Sequence, residues 1–208
     1  TLDASSIDRL GDVYHEGKHA GIPLAVIDHH STNTYYGTVN WVEGGCAATC
    51  QMLAYLAGAL GLALTPALAE CLLTGLITDT LCFRTSNTTP AVLETAMHLQ
   101  EAGANLAAIV QRTLNRMPFS TLKLWGLVLP DVHLEDGVLW ATVSREQISA
   151  AGQPNGETKL NSIFSTIIEA DISAVLTEKI GKSGRSAVEC SFRAKPGFAV
   201  GELALSFG

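Results

Sequence analysis

Short apolar runs alternate with stretches of helical periodicity along the first half of the chain. Pro23-Leu24-Ala25-Val26-Ile27 is continuously apolar and stops at Asp28-His29-His30, a pattern that predicts a strand buried on both faces. From Ala47 to Leu60, Leu53, Leu56 and Leu60 recur at helical spacing, and Gly61 supplies the stop. Thr65-Pro66 opens a second helix, an N-cap followed by proline at the first helical position, running through Leu68, Leu72 and Leu76 to Asp79. Thr89-Pro90 repeats that signal for a helix ending near Gly103, and an amphipathic stretch covers Leu106 to Leu114. After Pro130 the texture changes. Val138 to Val143, Ser173 to Lys179 and Ala187 to Phe192 read as strands, with a helix-like stretch from Lys159 to Glu169. Gly181-Lys182-Ser183-Gly184-Arg185 is a turn-rich connector between the last two strands. The pattern predicts an α/β lobe over residues 1–117, a linker over 118–135 and a smaller α+β lobe over 136–208.

Composition narrows the classes. Of 208 residues 47% are hydrophobic and 16% charged, which supplies a core and excludes disorder. The apolar stretches are interrupted well before the ~20 residues a membrane-spanning helix needs, and no basic segment followed by an apolar run marks a secretory signal. Thirteen basic against 20 acidic residues give a net charge of −7. A long nucleic-acid groove is excluded on that balance, while a few arginines can still hold a short phosphate ligand. The odd, scattered set Cys46, Cys50, Cys71, Cys82 and Cys190 predicts reduced core thiols of a cytosolic protein.

Three motifs mislead. His15-Glu16-Gly17-Lys18-His19 matches H-E-x-x-H, but Gly17 weakens the helix that zinc chemistry needs, and Gly21 and Pro23 follow closely. Gly181-Lys182-Ser183 lacks the earlier glycine of a phosphate loop, where Leu176 stands. Cys46-x3-Cys50 fits neither a zinc nor a redox spacing and is read as buried packing. Asp28-His29-His30 differs, because three ligand-type side chains stand together at the carboxyl end of a strand, where open α/β sheets place their ligands. Asp79 closes an otherwise apolar element, where a carboxylate is costly unless paired or bound. Asp3 and Asp79 each favour a structural reading when taken alone.

Val26-Ile27-Asp28-His29-His30, Gly75-Leu76-Ile77-Thr78-Asp79-Thr80 and Phe83-Arg84-Thr85-Ser86-Asn87-Thr88-Thr89 fall in an order that resembles the DHH phosphoesterase family. Within it, the chain is similar to the bacterial oligoribonuclease and pAp-phosphatase branch, relatives of RecJ-type exonucleases. Leu2-Asp3-Ala4-Ser5-Ser6 resembles that branch's second motif, and Phe192-Arg193-Ala194-Lys195-Pro196-Gly197 its C-terminal substrate-binding domain. The resemblance implies a parallel-sheet lobe, a smaller α+β lobe and a cleft between them holding two Mn²⁺ ions. By position it implies that Asp3 bridges the ions and that His29 and Asp79 hold one of them. His30 would contact the scissile phosphate, with Asp28 supporting the histidines. Arg84 and Asn87 would face substrate, and Arg193 would reach it from the smaller lobe.

The implied reaction is metal-assisted hydrolysis of short oligoribonucleotides or 3′-phosphoadenosine 5′-phosphate (pAp) in the cytoplasm. Short RNA and nucleotides are then the partners, with no long duplex, no membrane, and a homodimer as the candidate assembly. A cyclic-dinucleotide phosphodiesterase uses the same two lobes and is the nearer alternative; a family II inorganic pyrophosphatase differs in its C-terminal lobe. A degenerate, non-catalytic nucleotide-binding domain is the alternative from another class. The resemblance also leads one to expect a His/Asp-rich motif before Thr1 and a glycine-rich, histidine-containing loop after Phe207-Gly208. The expectation is therefore the core of a longer enzyme, with these 208 residues binding metal weakly and hydrolysing little. Ala47-Ala48-Thr49 stands where the branch usually carries serines.

Overall fold

The computed structural model of the chain describes residues 1–153, 158–181 and 184–207. The chain divides into two compact units, Thr1–Arg116 and Met117–Gly208. The stretch expected to be a linker, 118–135, is instead structured and belongs to the second unit. It holds a helix, a 3-10 turn and a strand, and Leu124 and Val128 of that helix are core residues.

In the first unit, β1 (Ala25–Asp28) pairs in parallel with β2 (Val39–Val42), from Ala25 opposite Val39 to Asp28 opposite Val42. Burial on β1 alternates, with Val26 and Asp28 inside and Ala25 exposed, so the expectation of a strand buried on both faces is corrected to one buried on one face. Leu2 bridges Ile27 in parallel on the other edge, where the amide of Asp3 donates to the Ile27 carbonyl at 3.0 Å. The H-E-x-x-H stretch forms only a single turn, α1 (Glu16–His19), with no buried residue.

Four helices follow: α2 (Thr49–Ala59), α3 (Pro66–Asp79), α4 (Pro90–Glu101) and α5 (Leu106–Thr113). Their order and limits match the periodicity closely. On α3, Ala69, Leu72, Leu73, Leu76 and Ile77 are buried at the i, i+3, i+4, i+7, i+8 spacing of a helix seated in a core. Leu68, read as part of that stripe, is exposed. Thr65 caps α3 by accepting from the amide of Leu68 at 3.2 Å, whereas Thr89 makes no such bond to α4.

The second unit contains α6 (Phe119–Val128), β3 (His133–Glu135), β4 (Val138–Val143), α7 (Arg145–Ala151), α8 (Leu160–Phe164), β5 (Ile172–Ile180), β6 (Ser186–Ala194) and α9 (Val200–Phe207). The strands form one mixed sheet in the order β3-β4-β5-β6, with only β4 and β5 parallel. The helix expected from Lys159 to Glu169 is shorter, starting after Lys159 (φ 52°) and ending at Phe164. In the connector after β5, Lys182 and Ser183 lie outside the described residues.

All five cysteines are free, but Cys71 and Cys190 are exposed, so they are not core thiols. Among the described residues no helix is long and apolar enough to cross a membrane.

Gly75 of α3 faces Cys50 of α2, and a β-carbon built on Gly75 would collide with the Cys50 sulfur. Gly75→Ala is therefore expected to cost about 1–3 kcal/mol of unfolding free energy despite alanine's better helix propensity. Adding Cys50→Ala should recover most of that loss, and urea denaturation of the single and double variants checks it.

Candidate metal centre

The buried end of β1 organises the site. Asp28 is fully buried and accepts two side-chain hydrogen bonds, from His30 Nδ1 at 2.7 Å and from Asn33 Nδ2 at 2.6 Å. Burial alone would push this carboxyl up, but the bonds from His30 and Asn33, with the charge on His30, outweigh it and hold Asp28 below the usual carboxylate range. Asn33 also donates to the Ala4 carbonyl at 3.2 Å. One amide thus ties the strand carrying Asp28 to the segment carrying Asp3.

His29, the next residue, is oriented by the backbone. Its Nδ1 lies 3.3 Å from the carbonyl oxygen of Cys46. A carbonyl only accepts, so Nδ1 carries the proton and Nε2 is left with its lone pair facing the site. That atom sits 3.5 Å from Asp3 Oδ1 and 3.8 Å from Asp79 Oδ2. Two ligands bound at ~2.1 Å and at right to tetrahedral angles lie roughly 3.0–3.5 Å apart, so the spacing fits one divalent ion shared by His29 and Asp3, while the Asp79 oxygen stands just outside that range.

Asp3 adopts a left-handed backbone conformation (φ 58°) at the end of its bridge to β1, and the Thr49 hydroxyl donates to its Oδ1 at 2.9 Å. Thr49 opens α2, and Asp79 closes α3. Burial pushes the Asp79 carboxyl up and the Asp3 charge pushes it further, with His29 and His30 offsetting only part. Two carboxylates beside two imidazoles form a donor set that a divalent cation would complete. Among the described residues Asp3, His29 and His30 form one group whose ligand atoms all lie within 4.8 Å of one another.

After α3 the chain makes an unusual turn. Leu81, Cys82 and Phe83 have φ of 48°, 59° and 63°, three successive left-handed residues with side chains that disfavour that region. Buried Thr80 secures the turn by accepting from the Phe83 amide and donating to the Leu76 carbonyl. Arg84 and Asn87 follow on exposed positions, with Arg84 Nε tied to the Leu81 carbonyl at 2.8 Å. Arg193 lies on β6 in the second unit. The structure therefore brings Asp3, Asp28, His29, His30 and Asp79 together and places Arg84 and Asn87 in the loop that follows Asp79.

Three further participants were not candidates on sequence: Thr49, Asn33 and the Cys46 carbonyl. Thr49 was visible as a departure from the serines of similar proteins, while Asn33 and a main-chain oxygen carry no motif of their own. In the Cys46-x3-Cys50 pair, burial raises both thiols, and Cys50 is pushed up to about 11 with help from Asp79, Asp3 and Cys71. Neither is a reactive thiolate.

A bifunctional oligoribonuclease and pAp phosphatase of Thermus thermophilus is 34% identical to the chain over 182 residues, 88% of the chain and 54% of that protein. The chain is a relative of the DHH-family phosphoesterases. An uncharacterised protein of Mycoplasma genitalium is 34% identical over 120 residues, 57% of this chain and 37% of that protein. The chain thus spans about half or less of the length of these curated relatives. The fold matches an exopolyphosphatase-related protein from Bacteroides fragilis with a TM-score of 0.88 at 20% identity, over 99% of the chain and 61% of that structure. No protein-family model matches the chain.

Because Asp79 is raised in the fold, its contribution to stability is present at acid pH and is lost as pH rises through its folded value. In EDTA at pH 7, Asp79→Asn should therefore melt at a higher temperature than the parent chain. At pH 3, where the carboxyl is already neutral, the two should melt alike. Scanning calorimetry at the two pH values checks both statements.

Proposed function

We propose that Asp3, His29 and Asp79 hold Mn²⁺ and that the site hydrolyses phosphoesters, acting on short oligoribonucleotides or pAp as the name of the Thermus thermophilus relative describes. One observation carries the reading: the Cys46 carbonyl fixes the proton of His29 on Nδ1, so that Nε2 presents its lone pair between two carboxylates. A main-chain acceptor holding the far nitrogen is the usual support of a ligating histidine. A divalent ion bound there would lower the pKa of a bound water and neutralise charge developing on phosphorus.

The remaining residues act on substrate. His30 is held by Asp28 through Nδ1, which leaves Nε2 for a phosphate oxygen and stabilises the imidazolium when it is protonated. Arg84 spends Nε on its own turn and keeps its terminal nitrogens for a phosphate, beside Asn87. Arg193 is assigned to a phosphate from the second unit. The acidic balance of the chain agrees with a substrate of few phosphates. Asp3, His29 and Asp79 supply three donors for one ion, with water or substrate completing its shell, and a second ion would draw on donors beyond these. The unpaired cysteines agree with a cytoplasmic setting.

Thr49 gives a graded test. Thr49→Val removes the donor to Asp3 and is expected to weaken Mn²⁺ binding about 10–100-fold, while Thr49→Ser should keep it. Calorimetric titration with Mn²⁺ measures this. In parallel, Mn²⁺-dependent hydrolysis of pAp and of dinucleotides by the purified protein should vanish with His29→Ala and with chelator. Hydrolysis that survives both would defeat the assignment.

A further inference from the structure

Helix α6 is apolar on two opposite faces. One carries Thr121, Leu124 and Val128, which are buried where the helix packs on β4 and α7. The other carries Phe119, Leu122, Gly126 and Leu129, spaced three, four and three residues apart. At ~100° per residue these form one stripe directly opposite Leu124. Leu129 opens the 3-10 turn Leu129–Asp131 with helical dihedrals (φ −58°, ψ −31°), so the stripe runs on past the end of α6. Phe119 is 69% exposed, and Leu122 and Leu129 are each about half exposed. A β-carbon built on Gly126 would meet nothing, so the stripe has a gap at that position. Lys123 Nζ lies 5.2 Å over the Phe119 ring, a contact that leaves most of the residue in water. A helix with apolar residues on both faces belongs between two packed layers, and β4 with α7 supplies one of them.

The stripe is self-complementary. Its three-four-three spacing reads the same in both directions, so a second copy of the helix laid antiparallel meets it in register. Phe119 then stands opposite Leu129, and Leu122 opposite the gap at Gly126, each pair occurring twice. Charge agrees with that register. Arg116 precedes Phe119 by three residues and Asp131 follows Leu129 by two, so antiparallel pairing brings Arg116 of each copy beside Asp131 of the other. Neither makes an ion pair within the chain among the described residues. A parallel pair would instead set gap on gap and like charge beside like. The exposed apolar surface of the stripe is about 300 Å² per copy, taking ~150–250 Å² for a whole aromatic side chain and somewhat less for leucine. A standard interface buries ~800 Å² per partner, so the pairing is weak and reversible.

We propose that the outer face of α6 is the interface of a reversible homodimer, in which two copies of the helix pair antiparallel with Leu122 of each seated at Gly126 of the other. None of these residues is a donor of the metal centre, so the pairing stands or falls separately from the phosphoesterase reading.

Sedimentation velocity of the chain over about 5–500 µM tests it. The parent is expected to pass reversibly from monomer to dimer and no further, because an isologous pair closes on itself. Leu122→Glu should weaken association about 100-fold. Gly126→Leu should weaken it about tenfold by filling the gap, and adding Leu122→Ala should restore it by returning that volume to the facing position. Arg116→Glu should weaken it about threefold, and adding Asp131→Arg should restore it. These positions are exposed, so circular dichroism should not change. A parent that stays monomeric throughout, a dimer indifferent to Leu122→Glu, or paired substitutions that rescue nothing would overturn the proposal. So would species larger than a dimer, which require a contact that does not close, and so would a monomer whose 119–129 amides are shielded from exchange, which would mean that a contact within the chain covers this face.

Discussion

A carboxylate sealed from water stays ionised only when donors surround it, and Asp28 meets that condition with His30 on one oxygen and Asn33 on the other. Removing one partner of such a buried charge typically costs about 3–5 kcal/mol, so neither donor is free to wander. His30 is thereby aimed, and the Asn33 amide, also bonded to the Ala4 carbonyl, holds the N-terminal segment against β1. Asp3 owes its position to that attachment. The Asp28 carboxylate thus organises the site from beneath without being one of its exposed donors.

The helices complete the geometry from the other side. The core stripe of α3 seats that helix so that its last residue, Asp79, faces His29, and the bare backbone at Gly75 lets α2 approach closely enough for Thr49 to reach Asp3. Close packing here has an electrostatic cost: Asp3 and Asp79 repel, and burial makes the charge on Asp79 harder to keep. A fold that keeps such a pair with no lysine or arginine at ion-pair distance among the described residues trades stability for a place that suits a divalent ion. The three left-handed residues that follow Asp79 extend the same pattern, local strain beside the candidate site.

Much of this was legible in the chain. Thr65-Pro66 and Thr89-Pro90 announced two helices at their true first residues, and Asp28-His29-His30 stood out because ligand-type side chains interrupt an apolar strand. That Asp3 and Asp79 join them followed from family resemblance, since each aspartate alone reads as a cap. Thr49, Asn33 and the Cys46 carbonyl act through single tertiary contacts, and no local pattern encodes those. Elsewhere the signals existed but were short. Asp136-Gly137, with φ of 48° and 79°, is the turn that pairs β3 with β4, and the box Ser144-x-x-Gln147 starts α7. Both fall at or beyond the end of the stretch taken for a linker, where an amphipathic helix as apolar as α6 shows little periodic contrast.

Anomalous diffraction from crystals of the chain soaked in Mn²⁺ addresses the central claim most directly. The account predicts a manganese peak at bonding distance, ~2.0–2.3 Å, from His29 Nε2 together with a carboxylate oxygen of Asp3 or Asp79. A chain whose manganese sits on His15 and His19, or anywhere that leaves His29 Nε2 unligated, would contradict it.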